Sequence, residues 1–317
     1  MRERLFIFLL FINCAAQAAD FPGIPAFIDE MVAKHQFKRE ELRQAFSRAE
    51  YRSDVIDSIS RPATLKPWVE YRPYFVNPQR IDGGVQFWQK YSAALEHAEQ
   101  QFGVPQEIIV GVLGVETIYG RSAGRYRALD ALTTLAFGYP RRADFFREEL
   151  EQYLLLAREQ GFDVLSVQSS YAGALGIPQF MPSSYRRYAV DYNGNGKIDI
   201  MNEPEDAIGS VANYLKHFGW RRGEPVALLS RVEDEKRLGI VGDARPYIAW
   251  RVAGVVPLNM PEEDYLPPAW LLDFTVETGK EYWLVFNNFN VIMRYNNSNF
   301  YAMTVYQLAE AVRRQRL

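Results

Sequence analysis

Residues 105–120 constrain the fold of this chain more than any other segment, because they read as a helix that is apolar almost throughout and yet contains a glutamate. Three apolar residues precede that glutamate, Glu116, by three, four and seven positions: Leu113, Val112 and Ile109. At this spacing the carboxylate leaves the helix on the face of the apolar stripe. Burial penalises the charged form of a carboxylate, so the segment predicts a core helix in which Glu116 is a candidate general acid near neutral pH.

Glycines accompany this acid. Gly111 and Gly114 leave room for a second backbone or a ligand to approach the helix, and Gly120 is placed to end the helix within a turn of Glu116. We therefore expect Glu116 at a helix end that borders a cleft. The alternative is structural, since a glutamate on such a face is more often salt-bridged or extended to solvent than catalytic.

Composition places the chain among ordinary globular proteins. Its 317 residues are 48% hydrophobic and 24% charged, enough for one large domain or two modest ones with a full core. A formal net charge of -3 gives no basic stripe of the kind that nucleic acid binding requires, so we predict no nucleic acid partner. No segment after the N-terminus has the length of a transmembrane helix.

The N-terminus resembles a secretory signal. Residues 1–18 combine a short basic start, an apolar run and an Ala-Gln-Ala site, which predicts cleavage after Ala18 and a soluble periplasmic protein. The only cysteine, Cys14, lies in this segment, so the exported chain would have no disulfide. The alternative is an outer-membrane lipoprotein anchored through Cys14, although the preceding Asn13 is not the small residue that such processing prefers.

Helical periodicity dominates the rest of the chain up to about residue 220, interrupted by an irregular Pro- and aromatic-rich stretch at 61–77. The predicted helical segments are 21–60, 85–102, 105–116, 142–160, 204–218 and a closing helix at 302–314. Short β-branched and aromatic runs predict strands at 226–229, 251–256, 270–277 and 281–286, with a hairpin turn at 278–280. The fold class is therefore mainly α, of the α+β kind, with a small antiparallel β section near the C-terminus.

Two loops contain polar residues in patterns that suit binding. Between residues 169 and 185, small residues and turn formers predict a tight loop that presents Ser170 and Gln179 to a polar cleft, or else a packed turn before a helix at Pro182. Paired guanidinium groups at Arg141 and Arg142 suit recognition of carboxylates, with a solvated helix start as the alternative.

The segment 191–202 matches the beginning of an EF-hand calcium loop. Oxygen-bearing side chains stand at alternate positions, Gly196 permits the sharp turn, and Lys197 would offer its carbonyl group. The predicted ligands are Asp191, Asn193, Asn195, Lys197 and Asn202. Asn202 replaces the usual bidentate glutamate, so Glu203 or Asp206 is an alternative last ligand, and a metal-free turn stays possible.

Together, five motifs resemble those of the lytic murein transglycosylase B family, in the same order, from about residue 21 to 311. They are Gly-Val-Glu-Thr-Ile-Tyr-Gly at 114–120, Tyr-Pro-Arg-Arg-Ala at 139–143, the segment 172–185, the segment 206–214 and Arg-Tyr-Asn at 294–296. The resemblance implies a lysozyme-like helical core (91–220), which includes the calcium-type loop, with added N-terminal helices (19–90) and a β-rich C-terminal section (221–317). It also implies cleavage of the β-1,4 bond between N-acetylmuramic acid and N-acetylglucosamine in peptidoglycan glycan strands, with 1,6-anhydromuramoyl products.

The resemblance assigns roles to individual residues. The single catalytic acid of the family falls on Glu116, no cofactor is implied for catalysis, and the calcium-type loop implies a structural Ca²⁺. Substrate-binding positions fall on Ser170, Gln179, Tyr214, Tyr295, Asn296, Arg141, Arg142 and Tyr71. The chain departs from the family pattern at Tyr119, where we expect Trp, and at Phe145, where we expect Tyr.

Two other functions remain open from the sequence. A hydrolysing muramidase on the same fold would need a second carboxylate, for which Asp130 is a candidate. A non-catalytic peptidoglycan-binding protein would use the cleft only to hold glycan. Protein partners are not indicated.

Overall fold

The structure, a computed structural model, describes residues 21–61, 66–239, 242–259 and 266–317. The signal segment 1–18 and Cys14 lie outside the described residues. Within the described ranges, no helix has both the length and the hydropathy needed to cross a membrane.

Helices make up most of the described chain. From the N-terminus they are α1 (Ile24–His35), α2 (Arg39–Phe46), α3 (Ser53–Ser60), α4 (Trp68–Phe75), α5 (Pro78–Lys90), α6 (Ser92–Phe102), α7 (Gln106–Thr117), α8 (Ala128–Gly138), α9 (Ala143–Gln160), α10 (Pro182–Tyr188), α11 (Pro204–His217), α12 (Tyr247–Val252), α13 (Asn287–Met293) and α14 (Asn299–Arg316). Short 3₁₀ helices cover Pro140–Arg142 and Glu235–Arg237.

The strands form two antiparallel sheets. They are β1 (Tyr126–Arg127), β2 (Gln168–Ser169), β3 (Ala227–Val232), β4 (Val255–Pro257), β5 (Trp270–Val276) and β6 (Gly279–Val285). The small β1–β2 pair lies within the helical body, and the larger sheet has the order β4-β3-β6-β5. The prediction of a mainly helical chain with a small antiparallel β section near its C-terminus is confirmed.

The prediction of irregular structure at 61–77 is wrong for its second half, which forms α4. Pro67 precedes the first helical residue, where a missing N–H is harmless, and Trp68 and Tyr71 bury the same face three residues apart. Burial of these two aromatic side chains outweighs the cost of Pro73 within the helix.

Other boundaries also differ from prediction, and the helical segment predicted at 21–60 is divided into α1, α2 and α3. The segment 85–102 is interrupted at Tyr91, whose φ of -113° and ψ of 26° separate α5 from α6. Residues 251–252 belong to α12, which buries Trp250, so only the second half of the strand predicted at 251–256 exists. In the C-terminal hairpin Val276 pairs with Gly279, so the turn residues are 277–278.

Helix α7 lies in the main hydrophobic core, and helices α5, α6, α11 and α14 pack around it. Gly111 permits the closest of these contacts, because a Cβ atom there would lie 2.7 Å from the carbonyl oxygen of Val305 in α14. The expected close approach of a second backbone is therefore that of α14. This contact brings residues from the C-terminal end of the chain to Glu116.

Candidate active site

Glu116 lies in the last turn of α7, where the backbone changes direction abruptly. Helix α7 ends at Thr117, and the next two residues, Ile118 (φ 52°) and Tyr119 (φ 59°), are both left-handed without being glycine. Each such residue costs about 1 kcal/mol or more, so packing around the turn must offset the strain. Gly120 continues the left-handed turn (φ 87°), and is not the terminator that its position suggested.

Hydrogen bonds hold this turn in place. The hydroxyl of Thr117 donates to the carbonyl of Ile177 at 2.7 Å and accepts from the backbone N–H of Gly120 at 2.9 Å. The Tyr119 hydroxyl donates to the carbonyl of Arg80 at 2.8 Å, and a Cβ atom on Gly84 would lie only 2.5 Å from that hydroxyl oxygen. Tyr119 thus fixes the turn against α5.

The Glu116 carboxylate is only partly exposed and has a tyrosine partner. The hydroxyl of Tyr301, in the first turn of α14, donates to Glu116 Oε1 at 2.6 Å. Burial raises the pKa of Glu116 from 4.5 to about 7, and the Tyr301 hydrogen bond lowers it by a smaller amount. A carboxyl group with this pKa can both donate and accept a proton at neutral pH.

Tyrosines surround this carboxylate. The pKa values of Tyr71, Tyr295 and Tyr301 are raised, mainly by burial and next by the negative charge of Glu116. The rings of Tyr295 and Tyr301 stack with centroids 6.4 Å apart, and the Tyr295 hydroxyl donates to the carbonyl of Pro178 at 2.9 Å. Two predicted site residues, Tyr71 and Tyr295, are therefore brought to Glu116.

Tyr214 has a supporting position behind Tyr295. Their ring centroids are 4.8 Å apart, the Tyr214 side chain is 7% exposed, and its hydroxyl donates to the carbonyl of Arg294 at 2.6 Å. With its hydroxyl committed to the backbone, Tyr214 is placed to position Tyr295 and not to contact a ligand directly. Asn296, the neighbour of Tyr295 in the chain, is exposed on the turn that follows α13.

Ser170 and Gln179 line one cleft of about 520 Å³, as the sequence predicted. The Ser170 hydroxyl oxygen accepts from the backbone N–H groups of Ala172 (3.3 Å) and Ala174 (3.1 Å), which leaves its own O–H free to donate. The Gln179 amide nitrogen donates to the carbonyls of Ala123 and Gly176, each at 3.0 Å. Both amide hydrogens are then used, so Gln179 can only accept from a ligand.

Comparisons with known proteins identify the family. The family model described as "Transglycosylase SLT domain" matches residues 21–310, nearly the whole described chain. The chain belongs to this family. Its relatives include membrane-bound lytic murein transglycosylase B of Escherichia coli (strain K12), which is 43% identical over 313 residues, covering 95% of this chain and 86% of the relative.

Solved transglycosylase structures share the fold. The soluble lytic transglycosylase SltB1 of Pseudomonas aeruginosa is 47% identical with a TM-score of 0.86, over 93% of this chain and 99% of that chain. The Escherichia coli lytic transglycosylase Slt35 in complex with calcium is 43% identical with a TM-score of 0.86, over 94% of this chain and 95% of that chain. The lysozyme-like fold predicted from the sequence is confirmed.

The remaining predicted binding residues of this transglycosylase-family chain are exposed and lie apart from the tyrosines. Arg141 and Arg142 are in the 3₁₀ helix after α8. The guanidinium of Arg142 lies 4.3 Å from the ring centroid of Phe145, the residue expected to be Tyr. Phenylalanine supplies this cation–π surface as well as tyrosine would, but it brings no hydroxyl group to the site.

The calcium-type loop of this family member folds around Asp191. Its carboxylate accepts from the backbone N–H groups of Gly194, Asn195 and Gly196 at 2.8 to 3.1 Å, which draws the loop into a tight turn. Buried Asp206 in α11 accepts from three further backbone N–H groups of this segment and so anchors it: those of Tyr192, Asn193 and Asp199. Asp206 is thereby committed to the backbone, which removes it as an alternative last ligand.

Glu203, and not Asn202, faces the predicted ligands of this loop. The side-chain amides of Asn193 and Asn195 both donate to the Glu203 carboxylate, the latter at 2.9 and 3.0 Å. Asn202 instead donates to Asp199, at 2.9 and 3.1 Å. Carboxylate, amide and carbonyl oxygens on a glycine-containing turn are the ligands that calcium prefers, so the donor chemistry fits, with Glu203 in place of Asn202. Among the described residues no group of three or more His, Cys, Asp or Glu side chains is arranged to hold a metal, so amide and carbonyl oxygens would supply the other ligands.

Asp130, the candidate second carboxylate of a muramidase, is structural. It is 2% exposed, and both of its oxygens accept from the guanidinium of Arg127, at 2.7 and 2.8 Å. Asp130 also accepts from the backbone N–H of Glu50, so it joins β1 and α8 to the N-terminal helices. A carboxylate that is fully paired in the core cannot activate water at a cleft.

Sequence patterns did not predict the role of Tyr301, which is the one side chain among the described residues that hydrogen-bonds to Glu116. The two residues are 185 positions apart, and no local pattern connects them. The available signal was the position of Ser298, whose side chain caps the start of α14 directly after the Arg-Tyr-Asn motif. A tyrosine in the first turn of that helix has to lie close to the motif.

Proposed function

We propose that this chain is a peptidoglycan lytic transglycosylase that uses Glu116 as its only acid and base. It cleaves the β-1,4 bond between N-acetylmuramic acid and N-acetylglucosamine and releases 1,6-anhydromuramoyl ends. One observation carries the proposal: Glu116 lies in the last turn of a core helix with the Tyr301 hydroxyl 2.6 Å from its carboxylate, and burial in this position raises its pKa to about 7. Family membership supports the same reaction.

The proposed first step is protonation of the glycosidic oxygen by Glu116 as the bond to the anomeric carbon breaks through an oxocarbenium-like state. The Tyr301 hydroxyl donates to the carboxylate that forms. That carboxylate then removes the proton from the muramic 6-hydroxyl, which attacks its own anomeric carbon and closes the anhydro ring. The nucleophile belongs to the substrate, so its effective concentration is high and no water has to be activated.

Ser170 and Gln179 have complementary roles in this proposal. The free Ser170 O–H donates to the 2-acetamido carbonyl of the muramic residue, which shelters the cation as in substrate-assisted glycosidases. Gln179 accepts from a sugar hydroxyl. Tyr71 and Tyr295 form the wall against which the sugar ring lies, and Tyr214 holds Tyr295 in position.

Residues outside this cluster have supporting roles. Arg141, Arg142 and Asn296 contact more distant parts of the substrate. The loop at 191–203 binds a structural Ca²⁺ through Asp191, Asn193, Asn195, the Lys197 carbonyl and Glu203. We also propose that the protein acts in the periplasm after removal of residues 1–18, or as a lipoprotein if Cys14 is acylated. The division at about residues 90 and 220 remains our proposal for how the functional lobes are organised.

Mass analysis of digested peptidoglycan sacculi tests the reaction. We expect products one water lighter than the corresponding hydrolysis products. Products at the full hydrolytic mass would identify a muramidase and contradict the proposal. If the sacculi stay intact but the protein binds to them, it is a peptidoglycan-binding protein without this activity.

A further inference from the structure

An arginine-lined extension of the Ser170 cleft is not used by the proposed reaction. The cleft is also lined by Arg121, Arg125 and Tyr171, and no carboxylate is among the described residues that line it. Tyr171 is 42% exposed, so its ring is available to a ligand in the cleft. Exposed aromatic and guanidinium groups at a cleft indicate a ligand that is both flat-faced and anionic.

The fold places this extension next to Glu116. The loop that carries Arg121 leaves the left-handed turn after α7, and the Ser122 N–H still donates to the Thr117 carbonyl at 2.9 Å. The loop meets the Ser170 segment closely at Gly124 (φ 116°), where a Cβ atom would lie 2.2 Å from the Ser169 backbone. The extension is therefore carried by the loop that leaves the helix end containing Glu116, and it shares Ser170 and Gln179 with the proposed site.

The charges of this region leave an excess of positive charge. The carboxylate whose charge acts on Arg125 is Asp54, and both oxygens of Asp54 already accept from Arg52, at 3.1 and 3.2 Å. Arg125 itself makes one long contact, 3.4 Å, with the Tyr126 hydroxyl, and its guanidinium lies over that ring. Arg121 is exposed on the loop. Both guanidinium groups keep donors available for an anion.

We propose that Arg121 and Arg125 form a carboxylate-binding subsite that engages the stem peptide of peptidoglycan, with Tyr171 packing against the peptide or the sugar beside it. This inference rests on the proposed function, because it assumes a glycan at Glu116. It makes peptide-bearing strands the preferred substrate. The muramic lactyl group also offers a carboxylate once the peptide is removed, so the experiment has to separate the two sources.

Binding measured by calorimetry in the Glu116→Gln background tests the subsite without turnover. The probes are a GlcNAc-MurNAc disaccharide with L-Ala-D-Glu, its counterpart with both peptide carboxylates amidated, and the peptide-free disaccharide. We expect about fivefold to tenfold tighter binding of the carboxylate form than of the amide form. Substitution of both arginines, Arg121→Gln with Arg125→Gln, should abolish that preference. Arg231→Gln, at an exposed position on β3, is the matched control.

Each other outcome overturns the subsite. If the protein with intact arginines binds the carboxylate and amide forms with equal affinity, it does not recognise the charge of the peptide. If the double variant still binds the carboxylate form more tightly than the amide form, other residues recognise the peptide carboxylates. If the double variant loses affinity only for the peptide-free disaccharide, the two arginines bind the lactyl carboxylate and not the peptide. Unchanged melting midpoints exclude misfolding, and failure of the proposed function would appear separately, as parent protein that leaves sacculi uncleaved.

Discussion

Glu116 and Asp191 are both carboxylates that serve proposed sites, but their surroundings are opposite. Glu116 ends a core helix, has a tyrosine hydroxyl as its partner and has a pKa raised to about 7 by burial. Asp191 stands in a loop whose residues 193–197 are exposed, and it accepts from three backbone N–H groups. Burial with one hydrogen-bond donor suits a group that exchanges a proton, whereas a carboxylate in a solvated loop that also carries other oxygen side chains suits the binding of a cation.

The largest expected effect comes from removing the acid on one side of this comparison. Glu116→Gln keeps the shape of the side chain but cannot donate a proton, so we expect kcat for release of anhydro products to fall about 10³-fold. Asp191→Asn makes the matching change in the loop and should leave kcat within about twofold. Mass analysis of sacculus digests measures both. Cleavage by Glu116→Gln at the parent rate would remove Glu116 from its proposed role.

The pH dependence of stability tests the burial of Glu116. Its pKa rises from 4.5 in the unfolded chain to about 7 in the folded one, so the folded state favours the protonated form. The stability that this provides is complete below about pH 4.5 and is lost as the pH rises through about 7, a change of about 3 kcal/mol. Glu116→Gln does not ionise and should therefore gain about 3 kcal/mol relative to the parent between pH 4 and about pH 8.

Urea unfolding at both pH values measures this difference, and Asp191→Asn is again the control. A stability difference between Glu116→Gln and the parent that is independent of pH would show that Glu116 is solvated. In that case the two carboxylates would differ in position only, and the contrast between the regions would fail.

Tyr301→Phe sharpens the contrast by removing the hydrogen bond that the Tyr301 hydroxyl donates to Glu116. That bond lowers the pKa of Glu116, so its loss should raise the pKa and move the alkaline limb of the pH–kcat profile to higher pH. A charge-assisted hydrogen bond contributes about 1.5–3 kcal/mol, and we expect kcat to fall about tenfold. Tyr214→Phe removes a hydroxyl that bonds to backbone and should leave the limb in place. An unmoved limb in Tyr301→Phe would show that this hydroxyl does not act on the proton-transferring group.

These two regions also differ in how much of them the sequence predicted. The burial of Glu116 followed from apolar periodicity, because a helix that is apolar nearly all round can lie only in a core. Tyr301 did not follow, since its contact with Glu116 depends on how α14 packs across Gly111 of α7. Strain at Ile118 and Tyr119 was also hidden, because both residue types usually avoid left-handed backbone.

Local spacing predicted the turn of this loop better than it predicted which side chain faces Asn193 and Asn195. The alternate oxygen side chains of residues 191–195 are a local pattern, and the turn around Gly196 is formed as expected. Whether Asn202 or Glu203 faces the loop depends on where α11 begins. A shift of one residue in the start of this helix changes which of the two side chains faces Asn193 and Asn195. In the N-terminal part of the chain, prediction was weakest at 61–77. The proline content of this segment indicated irregular structure and gave no sign that Trp68 and Tyr71 are buried in a helix.

The smallest effect, and the most direct test of the loop, separates Glu203 from Asn202. If Glu203 completes a calcium site, calcium should raise the melting midpoint of the parent by a few degrees and a chelator should reverse the rise. Glu203→Gln should weaken this response about tenfold in calcium concentration, because it removes a carboxylate ligand, whereas Asn202→Ala should retain it. Thermal melts over a calcium titration measure all three proteins. A parent midpoint that is the same in calcium and in chelator favours a metal-free turn, held by the Asp191 and Asp206 hydrogen bonds alone. A calcium response that is lost in Asn202→Ala but kept in Glu203→Gln identifies Asn202 as the last ligand, as EF-hand spacing predicts.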